Sequence, residues 1–201
     1  MSTDIIDAVG YADQTFQLQS RQELSRLANG TVLGKDFGNA MWAASYTTQP
    51  LRSDDALRLE AMLNALDGVI GTFEAYDLRR PYPRLHADGI FSDTGTILSV
   101  SNPRIALKDL DPGMQLSAGD YLSFEIDGRR VLHQIMEDAT ADGGGETGEF
   151  AVRPHLWAGT EEDLAVRLKK PSVRMALAPN AITTRTEQGV FTTITFKAMQ
   201  V

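Results

Sequence analysis

Few residues in this chain have the types and spacing that chemistry needs. Its three histidines, His86, His133 and His155, stand far apart. None makes the H-x-x-x-H step that would put two imidazoles on one helix face. A site of two histidines and one carboxylate would have to assemble from distant positions. His133 lies in an alternating apolar run and is expected to pack in a barrel hairpin. A serine nucleophile needs an elbow such as G-x-S-x-G, which is absent. Gly143-Gly144-Gly145 lacks the following Lys-Ser/Thr of a phosphate loop, so it predicts a flexible, solvent-exposed tip. Asp54 and Asp55 could supply half of a glycosidase pair. Their place at the start of a helix explains them more simply, because carboxylates favour its positive end. Arg79 and Arg80 could meet phosphate, but in an acidic chain they are expected to pair with carboxylates on a neighbouring subunit. The expectation is therefore a protein with no catalytic residues, no cofactor and no metal.

Charge and composition narrow the classes further. The 201 residues carry a net charge of −8 at pH 7. That disfavours a general DNA or anionic-membrane binder, whose contacts rest on Lys and Arg. No apolar run approaches the ~18 residues of a membrane span. Met1-Ser2-Thr3-Asp4 is acidic, with no basic stretch leading into an apolar one, so no secretory signal is expected. With no cysteine, disulfides and thiolate metal sites are excluded. A chain of this length buries roughly 70% of its unfolded surface and needs no staples.

The elements follow from patterning, most clearly over residues 37–83. Trp42, Ala44, Tyr46 and Thr48 fall on one face of a strand, since side chains alternate. Pro50 has no N–H for the ladder. Ser53 is placed as an N-cap, with Asp54 and Asp55 in the first turn. Leu59, Met62, Leu63 and Leu66 sit at i, i+3, i+4 and i+7, one helical stripe. Burying them is worth on the order of 6–12 kcal/mol before chain entropy is subtracted. The spacing predicts a helix over 54–66, closed by Gly68. A strand follows from Gly71 through Phe73 to Tyr76. Arg79-Arg80-Pro81-Tyr82-Pro83 is then an extended exit, as X-Pro pairs are. One helix thus covers a sheet.

Elsewhere the strands are short. Residues 1–14 are ambiguous and predict an arm ordered by contact with something else. Strands are expected at 15–19, 31–36, 96–100, 104–108, 150–153, 164–168 and 172–177, with a long final one around Val190–Lys197. Asn29-Gly30 signals a hairpin turn. Leu122, Phe124 and Ile126, then Asp127-Gly128, then Arg129–Ile135, make the clearest hairpin. The predicted fold class is mainly β (α+β). A β-sandwich or barrel domain with one packed helix takes residues 1–83 and 185–201. A second, small oligonucleotide/oligosaccharide-barrel-like β-barrel at 96–178 is inserted into it. The alternative is a single continuous sandwich.

Two stretches carry a family resemblance. The first is W-x-A-x-Y-x-T-x-P-L from Trp42, the acidic helix, then L-D-G-x-x-G-x-F and the P-x-P exit. The second runs from Ala118-Gly119-Asp120-Tyr121-Leu122-Ser123-Phe124 through Arg130-Val131-Leu132-His133 to Phe150-Ala151-Val152-Arg153-Pro154. Together they cover roughly two fifths of the chain and resemble the distal tail proteins of long-tailed bacteriophages. They look similar also to related proteins of prophages and gene transfer agents. The resemblance implies a structural protein of the virion, made in the host cytoplasm and placed at the tail tip. It implies a homo-oligomeric, hexameric ring joining the tail tube protein to the baseplate hub protein, around a channel for DNA that passes without specific binding. Self-closing rings use head-to-tail interfaces, and the exit segment Arg79, Arg80, Pro81 and Tyr82 and the arm 1–14 are the candidate contacts. The other reading is a saccharide-binding β-module for host attachment, with Trp157, Tyr121 and Tyr82 as candidate platforms.

Overall fold

The computed structural model describes residues 5–187 and 191–201. In chain order it begins with β1 (Tyr11–Gln19), β2 (Gln22–Arg26), β3 (Val32–Asp36), β4 (Met41–Thr48), β5 (Leu51–Arg52), helix α1 (Ser53–Asn64) and β6 (Thr72–Ala75). It continues with β7 (Thr96–Ser101), β8 (Arg104–Lys108), β9 (Gln115–Leu116), β10 (Tyr121–Ile126), β11 (Arg129–Ile135), β12 (Ala139–Thr140), β13 (Phe150–Arg153) and β14 (Val166–Arg167). It ends with β15 (Val173–Leu177), β16 (Thr183–Glu187) and β17 (Phe191–Gln200). The fold is mainly β with one helix among the described residues, as the patterning predicts.

The first sheet has the order β1-β4-β17-β15-β6, with β16 and β5 also paired to β17. Its inner face is the Trp42 face. Trp42, Tyr46, Phe73, Ile194 and Phe196 are buried there against Leu59, Leu63 and Leu66. Met62 is half-buried, at the edge of the helix stripe. The sheet curls until residues 76–78 approach β1. Gln14 closes that gap like a missing strand residue: its Nε2 donates to the Tyr76 carbonyl (3.1 Å) and its Oε1 accepts from the Leu78 N–H (2.9 Å). The Tyr46 hydroxyl donates to the same carbonyl at 2.8 Å.

The second sheet has the order β14-β10-β11-β13-β8-β7. A bridge from Thr96 to Ala165, with Val166 N–H donating to the Gly95 carbonyl (2.7 Å), nearly closes it into a six-stranded barrel. Its core gathers Ile97, Leu107, Leu122, Phe124, Val131 and Phe150. The β10–β11 turn is Asp127-Gly128, with φ of 48° and 74°, the left-handed pair a two-residue hairpin needs.

Several expectations are corrected. The barrel segment is not 96–178: β15 pairs with β6 (Val173↔Ala75) and with β17, so 173–177 belongs to the first sheet and the insertion spans 76–172. A short apolar strand looks alike in either sheet, and only its partners assign it. The first unit therefore resumes at β15 rather than at 185. The helix covers Ser53–Asn64 rather than 54–66, and the buried Leu66 lies in the turn beyond. Arg52, not Ser53, holds the N-cap position, without a side-chain cap, because β5 is tied to β17 up to Arg52 and runs straight into the helix. The arm 1–14 is not free over its described part. Ile5 and Ile6 are buried in the first core, and residues 11–14 belong to β1. The glycine triplet is not a loose tip: Leu110 N–H donates to the Gly145 carbonyl (3.1 Å), and Asp142 Oδ1 accepts from the Gly144 and Glu146 N–H groups. Val190 lies outside the described residues.

β10 and β11 connect the two units. Barrel strands normally alternate between core and solvent, yet Val131, Leu132 and His133 are buried in succession. Val131 points into the barrel, while Leu132 and Tyr121 join the core of the first sheet. Trp42 Nε1 donates to the Leu132 carbonyl at 2.8 Å. Phe16 stacks on Trp42, and Tyr121 meets it edge-on.

Candidate functional site

The exit segment after β6 lies at the junction of the two units, where its charges are paired within the chain. Asp77 is 3% exposed and accepts from the Arg79 N–H (2.9 Å), Arg79 Nε (3.0 Å), Arg79 Nη2 (2.7 Å) and the Tyr121 hydroxyl (3.1 Å). Donating to the Asp77 carboxylate raises the Arg79 pKa above its ordinary value. Burial raises that of Tyr121, and neighbouring Asp77 adds to it. Asp120 is 0% exposed; it accepts from the Ser117 and Arg84 N–H groups and pairs with Arg80 at 3.5 Å. Pro81 offers its carbonyl to Lys170 N–H (2.7 Å), and the Tyr82 ring lies against Gly89. Within the chain Arg79 and Arg80 are already paired, with Asp77 and Asp120, while the Arg79 side chain stays 66% exposed. These two acids form a clamp between sheet and barrel. The residue pattern Asp-Leu-Arg-Arg carries the signal for Asp77, while Asp120 lies 40 positions from Arg80 with no local signal.

A second layer of charge crosses the junction beside this clamp. Glu74 pairs with Arg130 (3.1 Å) and accepts from the Ser172 hydroxyl (2.7 Å). Asp7 accepts from the Tyr76 hydroxyl (2.6 Å) and from Lys170 (2.8 Å). Burial pushes the Asp7 pKa up, but these two hydrogen bonds outweigh it and the net direction is down. Each acid is matched by donors, so the junction holds the two units in one orientation.

The outer face of the first sheet is a broad surface that neither core uses. Register places Asp13, Thr15, Gln17 and Gln19 of β1 beside Thr47, Ser45, Ala43 and Met41 of β4. Thr195, Lys197 and Met199 of β17 continue the rows, and Arg185 and Glu187 of β16 lie opposite Thr193 and Phe191. The face is therefore hydroxyl, amide and small apolar groups. Its charges are few and of both signs: Asp13 and Glu187 stand with Lys197, Arg185 and Arg52, and Arg185 pairs with Glu187 at 3.2 Å. A shallow groove of about 320 Å³ runs along it between Gln17, Ser45 and Lys197.

Other candidates separate in space. His133 is fully buried, stacked on Phe124 at 5.1 Å, with Nδ1–H donating to the Pro154 carbonyl at 3.0 Å. Burial pushes its pKa down to about 4. The three platform candidates do not share a face: Tyr121 is in the junction core, Tyr82 is half-buried against Gly89, and Arg129 covers Trp157 at 4.4 Å. A cleft of about 330 Å³ between Asp7, Val9, Asp55, Arg58 and Met62 has apolar and charged walls. Among the described residues no group of three or more His, Asp or Glu is arranged to hold a metal ion. No helix of the described residues is long and apolar enough to cross a membrane. No protein-family model and no curated protein matches the chain.

Proposed function

We propose that this chain is a structural assembly protein of a phage tail. It forms a ring, six-fold by the family resemblance, that joins the tail tube to the baseplate hub, with the outer face of the first sheet lining the passage for DNA. The observation that carries this reading is the character of that face. In a chain of net charge −8, one broad sheet surface carries only a few charges of both signs and is rich in threonine, serine, glutamine and alanine. Each Lys–phosphate contact releases counterions and acts as a salt-dependent trap, so a wall that DNA slides past should offer few of them. The clamp at the junction fits the same role, because a ring needs its two units held at a fixed angle.

The test is assembly combined with DNA retention. Concentrated chain should form closed rings in electron micrographs and should not retain duplex DNA at moderate salt. Replacing Gln17 and Thr195 by lysine should create DNA binding that weakens steeply as salt is raised, because six copies would place twelve new cations around one opening. A chain that stays monomeric at every concentration would refute the ring. Tight DNA binding by the unaltered chain would refute the sliding wall. Glycan binding by the monomer would favour the saccharide module instead.

A further inference from the structure

The β2–β3 ribbon is the least satisfied part of the fold. Its strands pair with each other through Gln22↔Asp36 to Arg26↔Val32, and every residue in both is exposed. A lone two-stranded hairpin is at best marginally stable in water and needs a surface to pack on. This one carries large apolar side chains on both faces. Leu24, 73% exposed, shares a face with Val32; Leu33, 52% exposed, shares the other with the Lys35–Phe37 pair. Exposed apolar groups gathered on one ribbon mark a site of contact.

The distribution of these groups selects the occupant. The tip is Asn29-Gly30-Thr31, polar and turn-forming, and the apolar groups run along the stalk. A hairpin that entered a membrane would be apolar at its tip. Arg21, Arg26 and Lys35 against Glu23 and Asp36 give the ribbon a net +1, too little for a duplex groove but opposite in sign to a chain totalling −8. The complementary surface is on the chain itself. The outward stripe of α1 carries Leu57, 62% exposed, and the turn after it carries Val69 and Ile70, the latter 78% exposed. The stretch 53–71 that carries them holds four acids, Asp54, Asp55, Glu60 and Asp67, against one base, Arg58.

We infer that the β2–β3 ribbon of one copy docks on the α1 and 65–71 face of the next. This rests on the ring reading and names its interface. The two surfaces differ, so the contact is heterologous; repeated, it runs head to tail and closes into a ring. None of the β2 or β3 residues belongs to either hydrophobic core, so the contact can be removed without unfolding the monomer.

The experiment compares the full-length chain with Leu24→Asp/Leu33→Asp, and with Ile70→Asp, by native mass measurement, with thermal unfolding as a check on the fold. The unaltered chain should be a closed oligomer. Each variant should fall to monomer mass with its unfolding retained. Mixed together they should give one-to-one dimers, because the first keeps the receiving face and the second keeps the ribbon. Variants that retain the full subunit number would overturn the inference and leave the ring standing. So would an Ile70→Asp chain that assembles normally while the ribbon variant does not. A wild-type monomer at all concentrations would remove both. Flotation with phosphatidylcholine vesicles that Leu24→Asp/Leu33→Asp abolishes would assign the ribbon to a membrane and overturn the docking.

Discussion

Mild acid should weaken this protein through one residue, His133. Its imidazole is 0% exposed, its Nδ1–H is bonded to the Pro154 carbonyl, and its Nε2 has no partner. Protonation would bury a charge with no acceptor in reach, so burial holds the pKa at about 4 rather than 6.5. Well above pH 6.5 the imidazole is neutral in both folded and unfolded chains and stability is whole. As pH falls from 6.5 toward 4, the unfolded chain binds a proton that the folded chain refuses, and stability is lost throughout that window. Between pH 7.5 and 5.5 the loss is on the order of 1 kcal/mol, from one pH unit below the unfolded pKa. Few carboxylates titrate there, so the window isolates histidines. Urea unfolding of the wild type and of His133→Leu at both pH values gives the difference directly. His86 and His155 are present in both chains and cancel. The variant is expected to be less stable at pH 7.5, because the Pro154 carbonyl loses its donor, but to lose on the order of 1 kcal/mol less on acidification. Equal losses for the two chains would refute the buried neutral imidazole.

Two further changes test the packing. Leu63 is 0% exposed beneath the first sheet, so Leu63→Ala should lower stability by about 2–5 kcal/mol in denaturant unfolding; a change below about 0.5 would refute the helix placement. At Gly145 an added Cβ would lie 2.3 Å from the Leu110 carbonyl oxygen at a φ of +82°. Gly145→Ala should therefore lower the thermal midpoint by a loss of about 1–3 kcal/mol, whereas a loose linker would show none.

What was legible in the sequence was local. The Asp127-Gly128 turn between alternating strands, the Trp42 strand and the Leu59–Leu63 stripe each carry their pattern within a dozen residues, and the structure has them. What was not legible depends on partners far along the chain. Val173–Leu177 reads like any barrel strand until its pairing with β6 is known. Arg80 looks free because the acid that holds it, Asp120, lies 40 positions downstream, whereas Asp77 stands only two residues before Arg79. The glycine triplet reads as slack because its restraints are backbone hydrogen bonds to Leu110, which composition does not record. The outer face of the first sheet was half legible. Alternation assigned Trp42, Ala44, Tyr46 and Thr48 to the other side, but which strands extend that face, and that its few charges are of both signs, required the register.

The pairing of β6 with β15 also sets the order of events when the chain folds. Ala75 and Val173 are hydrogen-bonding neighbours, yet the whole barrel lies between them in sequence. Closing a flexible loop of that length costs about (3/2)RT ln n plus a constant, and it must be met before any contact in the pair repays it. Once β7 to β14 have curled up, the two ends of the insertion emerge side by side, where Lys170 N–H meets the Pro81 carbonyl at 2.7 Å. The long closure then becomes a short one. The barrel is thus expected to be the early-forming unit. The first sheet, although it starts the chain, completes only after the barrel has brought its two edges together.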